Sequence, residues 1–146
     1  MRIPTEHIEP DLAAKDSSEA IAELLERLSR AGAIATSARD SIFQALRERE
    51  EVLSTGIGAG IALPHAKSSS LSEPVFAFGR SQAGVQFNSL DGLPVHFIFL
   101  YIVPTDFSQE LQAIKFIGRG FKHLQAIRVC STAQEISDLL NEPTDQ

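Results

Sequence analysis

The chain has 146 residues, of which 43% are hydrophobic and 22% are charged, so it is long enough for one domain with a buried core. Its net charge is −6 and its 13 Lys and Arg residues are scattered, which argues against nucleic acid as a partner. A single cysteine excludes an intrachain disulfide framework, and no apolar run is long enough for a membrane span or a signal core. We expect one domain over residues 1–146, with a disordered tail at 142–146, in a cytosolic protein without direct membrane insertion.

Two helices are predicted in the first third of the chain. Residues 16–19 have the spacing of a capping box, and apolar residues follow at helical intervals until Gly32 stops the pattern. A second helix is predicted to begin near Ser37, to continue through the charged residues 47–51, and to end before Gly56. The apolar residues of the first helix are Ile21, Leu24, Leu25 and Leu28.

Strands are predicted in the middle of the chain. A short one covers residues 61–63, and two others cover residues 75–79 and 85–87. The run 95–103 is nearly all apolar, as expected of a central strand that is covered on both faces. Pro104 ends this run.

Helical periodicity returns after the central strand. One helix is predicted from its apolar positions Leu111, Ile114, Ile117 and Phe121. A last helix is predicted to begin at the capping box of residues 132–135 and to bury Ile136, Leu139 and Leu140. Helices, then strands, then helices predict a three-layer α/β/α sandwich with a mixed central sheet flanked by helices.

The segment 56–67 is the least ordinary stretch of the chain. Its glycines stand at alternate positions, which predicts a tight turn or a close approach of the backbone. The spacing fits neither a Walker loop, whose Lys-Ser/Thr pair is missing, nor a dinucleotide fingerprint. A nucleotide-binding function is therefore not indicated.

His65 is the candidate nucleophile of this segment. Pro64 restricts the backbone in front of it, which places the imidazole at the end of the predicted strand 61–63. An imidazole is a competent nucleophile near neutral pH when one ring nitrogen keeps its lone pair and the other is fixed by a hydrogen bond. A lone histidine more often has a structural role, so the residues around it have to decide between the two readings.

Those residues resemble a known family. Residues 49–51 and 54–65 are similar to the active-site signature of the fructose/mannitol-type enzyme IIA of the phosphotransferase system, including its nitrogen-regulatory branch. The similarity continues through residues 87–99 and 103–104 and so covers nearly the whole chain. The resemblance implies that His65 accepts a phosphoryl group from the phosphocarrier HPr or its nitrogen-branch paralogue.

Phosphoryl transfer needs an in-line nucleophile and donors for the phosphoryl oxygens. We expect these donors from the Arg49 guanidinium, the hydroxyls of Ser54 and Thr55, and the backbone N–H groups of Gly58 and Gly60. Each also has a plainer reading, since Arg49 could be a solvated helix residue and the two hydroxyls could cap a turn. No metal or other cofactor is expected.

Members of the family usually carry a second histidine beside the first. The matching position here is Glu110, and no histidine lies between residues 97 and 122. A carboxylate at that place could accept the Nδ1 proton of His65 and would repel a phosphoryl group on the same ring. We therefore expect phosphorylation to occur, but with a less favoured or shorter-lived phosphorylated form.

Three functions remain open from the sequence. The leading one is a phosphocarrier that regulates nitrogen or carbon metabolism through phosphorylation-dependent protein partners. The second is a sugar-transport enzyme IIA that passes the phosphoryl group to an enzyme IIB. The third is a binding module that has kept the fold and lost the chemistry.

Other chemically active side chains are assigned plainer roles. Cys130 follows an apolar stretch and is expected to be a buried, inert thiol. His96 lies in the central strand and is expected to be packed and hydrogen-bonded, whereas His7 and His123 are expected at the surface. No two histidines have the i, i+4 spacing of a zinc site.

Overall fold

The structure is a computed structural model that describes residues 1–143. Of the predicted disordered tail 142–146, residues 144–146 lie outside the described residues, while the N–H of Glu142 donates to the Leu139 carbonyl at 3.3 Å. The elements are β1 Ile8–Glu9, α1 Ser17–Arg30, α2 Arg39–Val52, β2 Gly56–Gly58, β3 Ile61–Ala62, β4 His65–Ser68, β5 Val75–Val85, β6 Val95–Pro104, α3 Glu110–Gly120, α4 Leu124–Arg128 and α5 Ala133–Leu140.

The strands form one mixed sheet in the order β1-β5-β6-β3-β2. Strands β5 and β6 are antiparallel, and β2 is antiparallel to β3. Strands β3 and β4 both pair in parallel with β6, β3 along its first half and β4 along its second half. One edge of β6 is thus shared by two short strands that follow each other in the chain.

Helices cover the sheet on both faces. From Phe97 onward, the even-numbered residues of β6, such as Ile98 and Leu100, lie in one apolar cluster with α1 and α2, and the odd-numbered residues, such as Phe97 and Phe99, lie in a second cluster with α3, α4 and α5. The alternation follows from the two-residue period of a strand. The predicted three-layer α/β/α sandwich with a mixed sheet is confirmed.

Local signals predicted the helix starts well. The carboxylate of Asp16 accepts from the Glu19 N–H at 2.9 Å at the start of α1, and the hydroxyl of Thr132 accepts from the Glu135 N–H at 3.2 Å at the start of α5. Helix α2 begins at Arg39, two residues later than predicted, because a 3-10 turn covers Thr36–Ala38. The apolar residues assigned to α1 are all buried.

The strands differ from the prediction in three places. The predicted strand at 75–79 continues to Val85 as one strand, β5, which takes in only the first residue of the predicted strand 85–87, and its register shifts between Arg80 and Val85. Strands β1 and β2 are too short for a periodic pattern and were not predicted. His65 does not end the strand before it but begins β4, because the chain leaves the ladder at Leu63 and returns to it after Pro64.

Helix α3 is buried at only one of the predicted apolar positions within it, Ile117. Its predicted apolar positions Leu111 and Ile114 are 59% and 50% exposed. The buried positions of the helix are Ala113, Phe116, Ile117 and Gly120. The sequence has apolar residues on more than one side of this helix, so periodicity alone could not tell the packed face from the exposed one.

The predictions for the other three histidines and for Cys130 are confirmed only in part. His96 is packed and its Nδ1 donates to the Ser81 carbonyl at 2.8 Å, as predicted. His7 and His123 are both partly buried rather than at the surface. Cys130 is only partly buried; its thiol lies 3.4 Å from the Ala126 carbonyl, and desolvation raises the pKa of the thiol and so keeps it protonated.

We expect the two faces of β6 to contribute comparably to stability. Replacing Phe99 or Leu100 by Ala removes a fully buried side chain from one cluster or the other and should lower the free energy of unfolding by about 3–5 and 2–5 kcal/mol respectively. Leu93→Ala, at an exposed loop position, is the control and should change it by less than about 0.5 kcal/mol. Urea denaturation measures all three; if one of the core variants matched Leu93→Ala, its face would not be part of the core.

Candidate functional site

His65 lies at the end of the sheet that faces the start of α3. It is level with Tyr101 on β6, and the two rings stack with their centroids 5.0 Å apart and an angle of 7° between their planes. Tyr101 is 6% exposed, while His65 is half-buried. The stacked tyrosine therefore fixes the plane of the imidazole and leaves its outer edge accessible.

A backbone carbonyl sets the tautomer of His65. Its Nδ1 lies 2.8 Å from the Leu63 carbonyl oxygen, which can only accept, so Nδ1 carries the proton and Nε2 the lone pair. Within residues 1–143, Nε2 has no hydrogen-bond partner. The sequence suggested that Glu110 could accept this proton, but the Leu63 carbonyl does so instead.

A cavity of about 430 Å³ opens in front of His65. The C-terminal half of α2 lines it with Glu48, Arg49 and Val52, and the start of α3 lines it with Glu110. Lys67, two residues along β4 from His65, completes its charged rim. The fold thus brings Arg49 and Glu110 into one cavity with His65, as predicted, although Glu110 follows His65 by 45 positions in the chain.

The charged groups of the cavity are partly paired. Lys67 Nζ lies 3.3 Å from Glu110 Oε1, and both side chains are about half exposed, at 53% and 51%. Arg49 Nη1 donates to the Leu53 carbonyl at 2.8 Å, which is the only hydrogen bond of its guanidinium to residues 1–143. The other N–H groups of Arg49 remain available to an anion.

Ser54 and Thr55 have structural partners. The Ser54 hydroxyl donates to the Phe87 carbonyl, and the Thr55 hydroxyl and N–H donate to the Glu50 carboxylate at 2.6 and 2.9 Å. These bonds leave neither hydroxyl proton for a phosphoryl group, so the sequence prediction for these two donors does not fit the structure. Their observed role is to join the end of α2 to β2.

Gly58 and Gly60 lie at the wrong end of the sheet for the predicted role. Strand β3 begins on β6 four residues before the level of His65, which is about 13 Å along a strand. The two glycines have φ angles of +97° and +78°, in the region that favours glycine, and they turn the chain from β2 into β3. The prediction that their amides surround the phosphoryl group is corrected accordingly.

Two participants were missed by the sequence analysis. Tyr101 is the ring on which His65 stacks, and the signal was a lone tyrosine within a mostly apolar strand. Glu50 holds Thr55, whose carbonyl accepts the Leu63 N–H at 3.0 Å, and Leu63 in turn holds His65. Glu50 stood within the family-like signature, but nothing in its spacing indicated this partner.

Similarity to known proteins identifies the family of this chain. The family model described as "Phosphoenolpyruvate-dependent sugar phosphotransferase system, EIIA 2" matches residues 1–142. The chain belongs to this EIIA family. As an EIIA domain it is a phosphotransferase domain that carries phosphohistidine and works with protein partners of that system.

Individual EIIA relatives agree with this membership. The nitrogen regulatory protein of Bradyrhizobium diazoefficiens is 28% identical over 145 residues, which are 97% of this chain and 93% of that protein. The fructose-specific EIIABC component of Bacillus subtilis is 38% identical over 129 residues, which are 88% of this chain but 18% of that protein. The crystal structure of nitrogen regulatory protein IIA-Ntr from Neisseria meningitidis matches with a TM-score of 0.83 at 27% identity, covering 95% of this chain and 96% of that one.

Two further observations concern the part of the EIIA domain that the structure describes. No helix within residues 1–143 is long and apolar enough to cross a membrane. In the same residues, no three His, Cys, Asp or Glu side chains come together as a metal site requires.

Tyr101 is a built-in probe of this cavity, since the chain has one tyrosine and no tryptophan. Burial raises the pKa of its hydroxyl, the negative charge of Glu110 raises it further, and Arg49 opposes the shift. We expect the ultraviolet absorbance of tyrosinate to appear with a midpoint above the usual pKa of about 10, and Glu110→Gln to move the midpoint downward.

The raised pKa of Tyr101 also makes the stability of the folded protein depend on pH. The folded protein holds the Tyr101 proton more tightly than the unfolded chain does, so this stabilisation is complete below about pH 10 and is lost as the pH rises through the folded pKa. Glu48→Gln, which removes a different carboxylate of the cavity, is the matched control for Glu110→Gln. A midpoint at or below 10, or equal responses to the two variants, would contradict this placement of Tyr101 and Glu110.

Proposed function

We propose that this EIIA domain accepts a phosphoryl group on Nε2 of His65 from an HPr-like phosphocarrier or its nitrogen-branch paralogue, and that its output is regulatory. The observation that carries the proposal is the hydrogen bond from Nδ1 to the Leu63 carbonyl, which leaves the Nε2 lone pair free beside Arg49 and Lys67. The proposal includes the cytosolic location that the sequence analysis expects.

The transfer needs little covalent work from the protein. The Nε2 lone pair attacks phosphorus as the bond to the donor histidine nitrogen breaks, and that nitrogen takes the bonding electrons. Arg49 and Lys67 supply positive charge for the three phosphoryl oxygens, and the Tyr101 ring keeps the imidazole in line. An exchange between two histidines is nearly balanced, so neither a metal nor another cofactor has a step to perform.

Proteins of both outputs are similar to this chain. The Bradyrhizobium nitrogen regulatory protein is 28% identical over 97% of this chain, which supports the regulatory output. The higher identity to the fructose component, 38% against 28%, keeps sugar transport with transfer to an enzyme IIB as the second candidate. A binding module without chemistry is the third, and the accessible Nε2 of His65 speaks against it.

His65→Ala tests the chemistry. Incubation of the wild-type chain with phosphoenolpyruvate, enzyme I and a phosphocarrier should yield one acid-labile phosphoryl adduct, detected by intact mass, and His65→Ala should yield none. His123→Gln changes a histidine outside the cavity and should keep the adduct. Circular dichroism establishes that both variants fold. An adduct in folded His65→Ala, or none in the wild type with HPr and its nitrogen-branch paralogue, would refute the proposal.

The two outputs differ in what happens next. A transport protein passes the phosphoryl group rapidly to an enzyme IIB, and its variants lose sugar uptake. A regulatory protein binds a partner in one phosphorylation state only, which pull-down with wild type and His65→Ala would detect. Rapid transfer to an enzyme IIB without a state-dependent partner would favour the transport function.

Glu110→His tests the departure from the two-histidine site. A carboxylate about 4 Å from a phosphoryl group raises its free energy by about 1 kcal/mol in water and about 4 kcal/mol at an effective dielectric of 20. We expect Glu110→His to raise the phosphorylated-to-unphosphorylated ratio at equilibrium by at least about fivefold and to lengthen the lifetime of the adduct. Gel separation of the two forms measures both, and no change in either would refute the role of Glu110.

A further inference from the structure

Lys67 is paired with Glu110 and lines the same cavity as His65. It follows His65 by two residues on β4, so both side chains leave the same face of the strand, with their backbones about 6–7 Å apart. Its ammonium lies against Glu110 at 3.3 Å. A phosphoryl group on His65 would form within the same cavity and would compete with Glu110 for this cation.

The ion pair between Lys67 and Glu110 is weak enough to break when a stronger anion is present. Both side chains are about half exposed, and an exposed ion pair shifts an equilibrium by no more than about fivefold. Glu110 is also the first residue of α3, where the positive end of the helix dipole stabilises a carboxylate. Glu110 therefore keeps a favourable partner when Lys67 leaves, and a phosphoryl group with up to two negative charges is the stronger competitor.

We propose that Lys67 is an exchangeable cation, held by Glu110 before phosphorylation and transferred to the phosphoryl group on His65 afterwards. This inference rests on the proposed function and assigns Glu110 a role beyond repulsion. Glu110 holds the cation that the phosphoryl group needs, so it lowers the stability of the phosphorylated form through Lys67 as well as directly. The same competition makes the group easier to pass on.

A double-mutant cycle separates this exchange from simple repulsion. The phosphorylated fraction at equilibrium with a phosphorylated carrier is measured for the wild type, K67M, E110Q and K67M/E110Q. If Glu110 acts partly by holding Lys67, E110Q should raise the phosphorylated-to-unphosphorylated ratio about two- to fivefold more when Lys67 is present than in the K67M background. If Glu110 acts by repulsion alone, the two increases should be equal.

Glu48 provides the matched control. It lines the same cavity but is hydrogen-bonded to Gln44 at 3.2 Å and not to Lys67. E48Q therefore makes the same change of charge without releasing the cation, and its effect should be the same in both Lys67 backgrounds. Equal or smaller gains from E110Q in the presence of Lys67, or a Lys67-dependent effect of E48Q of the same size, would overturn the inference.

A second experiment phosphorylates His65 without a protein carrier. Phosphoramidate phosphorylates histidine directly, since Nε2 attacks phosphorus and ammonia leaves. Phosphorus NMR of the loaded protein then follows the last ionisation of the phosphoryl group with pH, and contact with Lys67 should lower this pKa relative to K67M, more strongly with E110Q. If Lys67 shifts this pKa but no carrier phosphorylates the protein, the proposed function is wrong and the exchange of Lys67 stands. If a carrier phosphorylates the protein but Lys67 does not shift this pKa, the proposed function stands and the exchange is wrong.

Discussion

Strand β6 must have hydrogen-bonding partners along both of its edges, because helices cover both of its faces and water reaches neither. Strand β5 pairs along one edge almost from end to end. The other edge is divided between β3 and β4, which run in the same direction as β6 and follow each other in the chain. The two residues between them, Leu63 and Pro64, cross the gap without ladder pairing, and this break determines where His65 lies.

The break also sets the position of the His65 ring. Leu63 is outside the ladder, so its carbonyl is free to accept the Nδ1 proton of His65, and the Pro64 carbonyl accepts from the Tyr101 N–H at 3.1 Å. Pairing resumes at His65, which sets its ring against that of Tyr101. One interruption of a parallel strand thus fixes the tautomer, the ring plane and the exposure of Nε2. Any substitution between β3 and β4 would have to preserve the tautomer, the ring plane and the exposure of Nε2.

The cavity contains charges of both signs, so its attraction for an anion is weaker than that of a site with cations alone. Its lining includes two cations, Arg49 and Lys67, and two carboxylates, Glu48 and Glu110. A site with cations alone would hold a phosphoryl group firmly, whereas a carrier has to release the group to the next protein. Under the proposed function, the two carboxylates oppose the phosphorylated state of His65 and so bring its two states closer in free energy.

The sequence by itself determined what depends on neighbours in the chain: the capped starts of α1 and α5, the apolar run of β6, and His65 within a family-like signature. Only the tertiary structure decided which face of α3 is buried, that Gly58 and Gly60 turn a hairpin far from His65, and which groups meet its ring. The reason is physical. Ring stacking, the Nδ1 hydrogen bond and the Lys67 pair depend on strand register and helix placement, which are set by pairings between distant segments that no local pattern encodes.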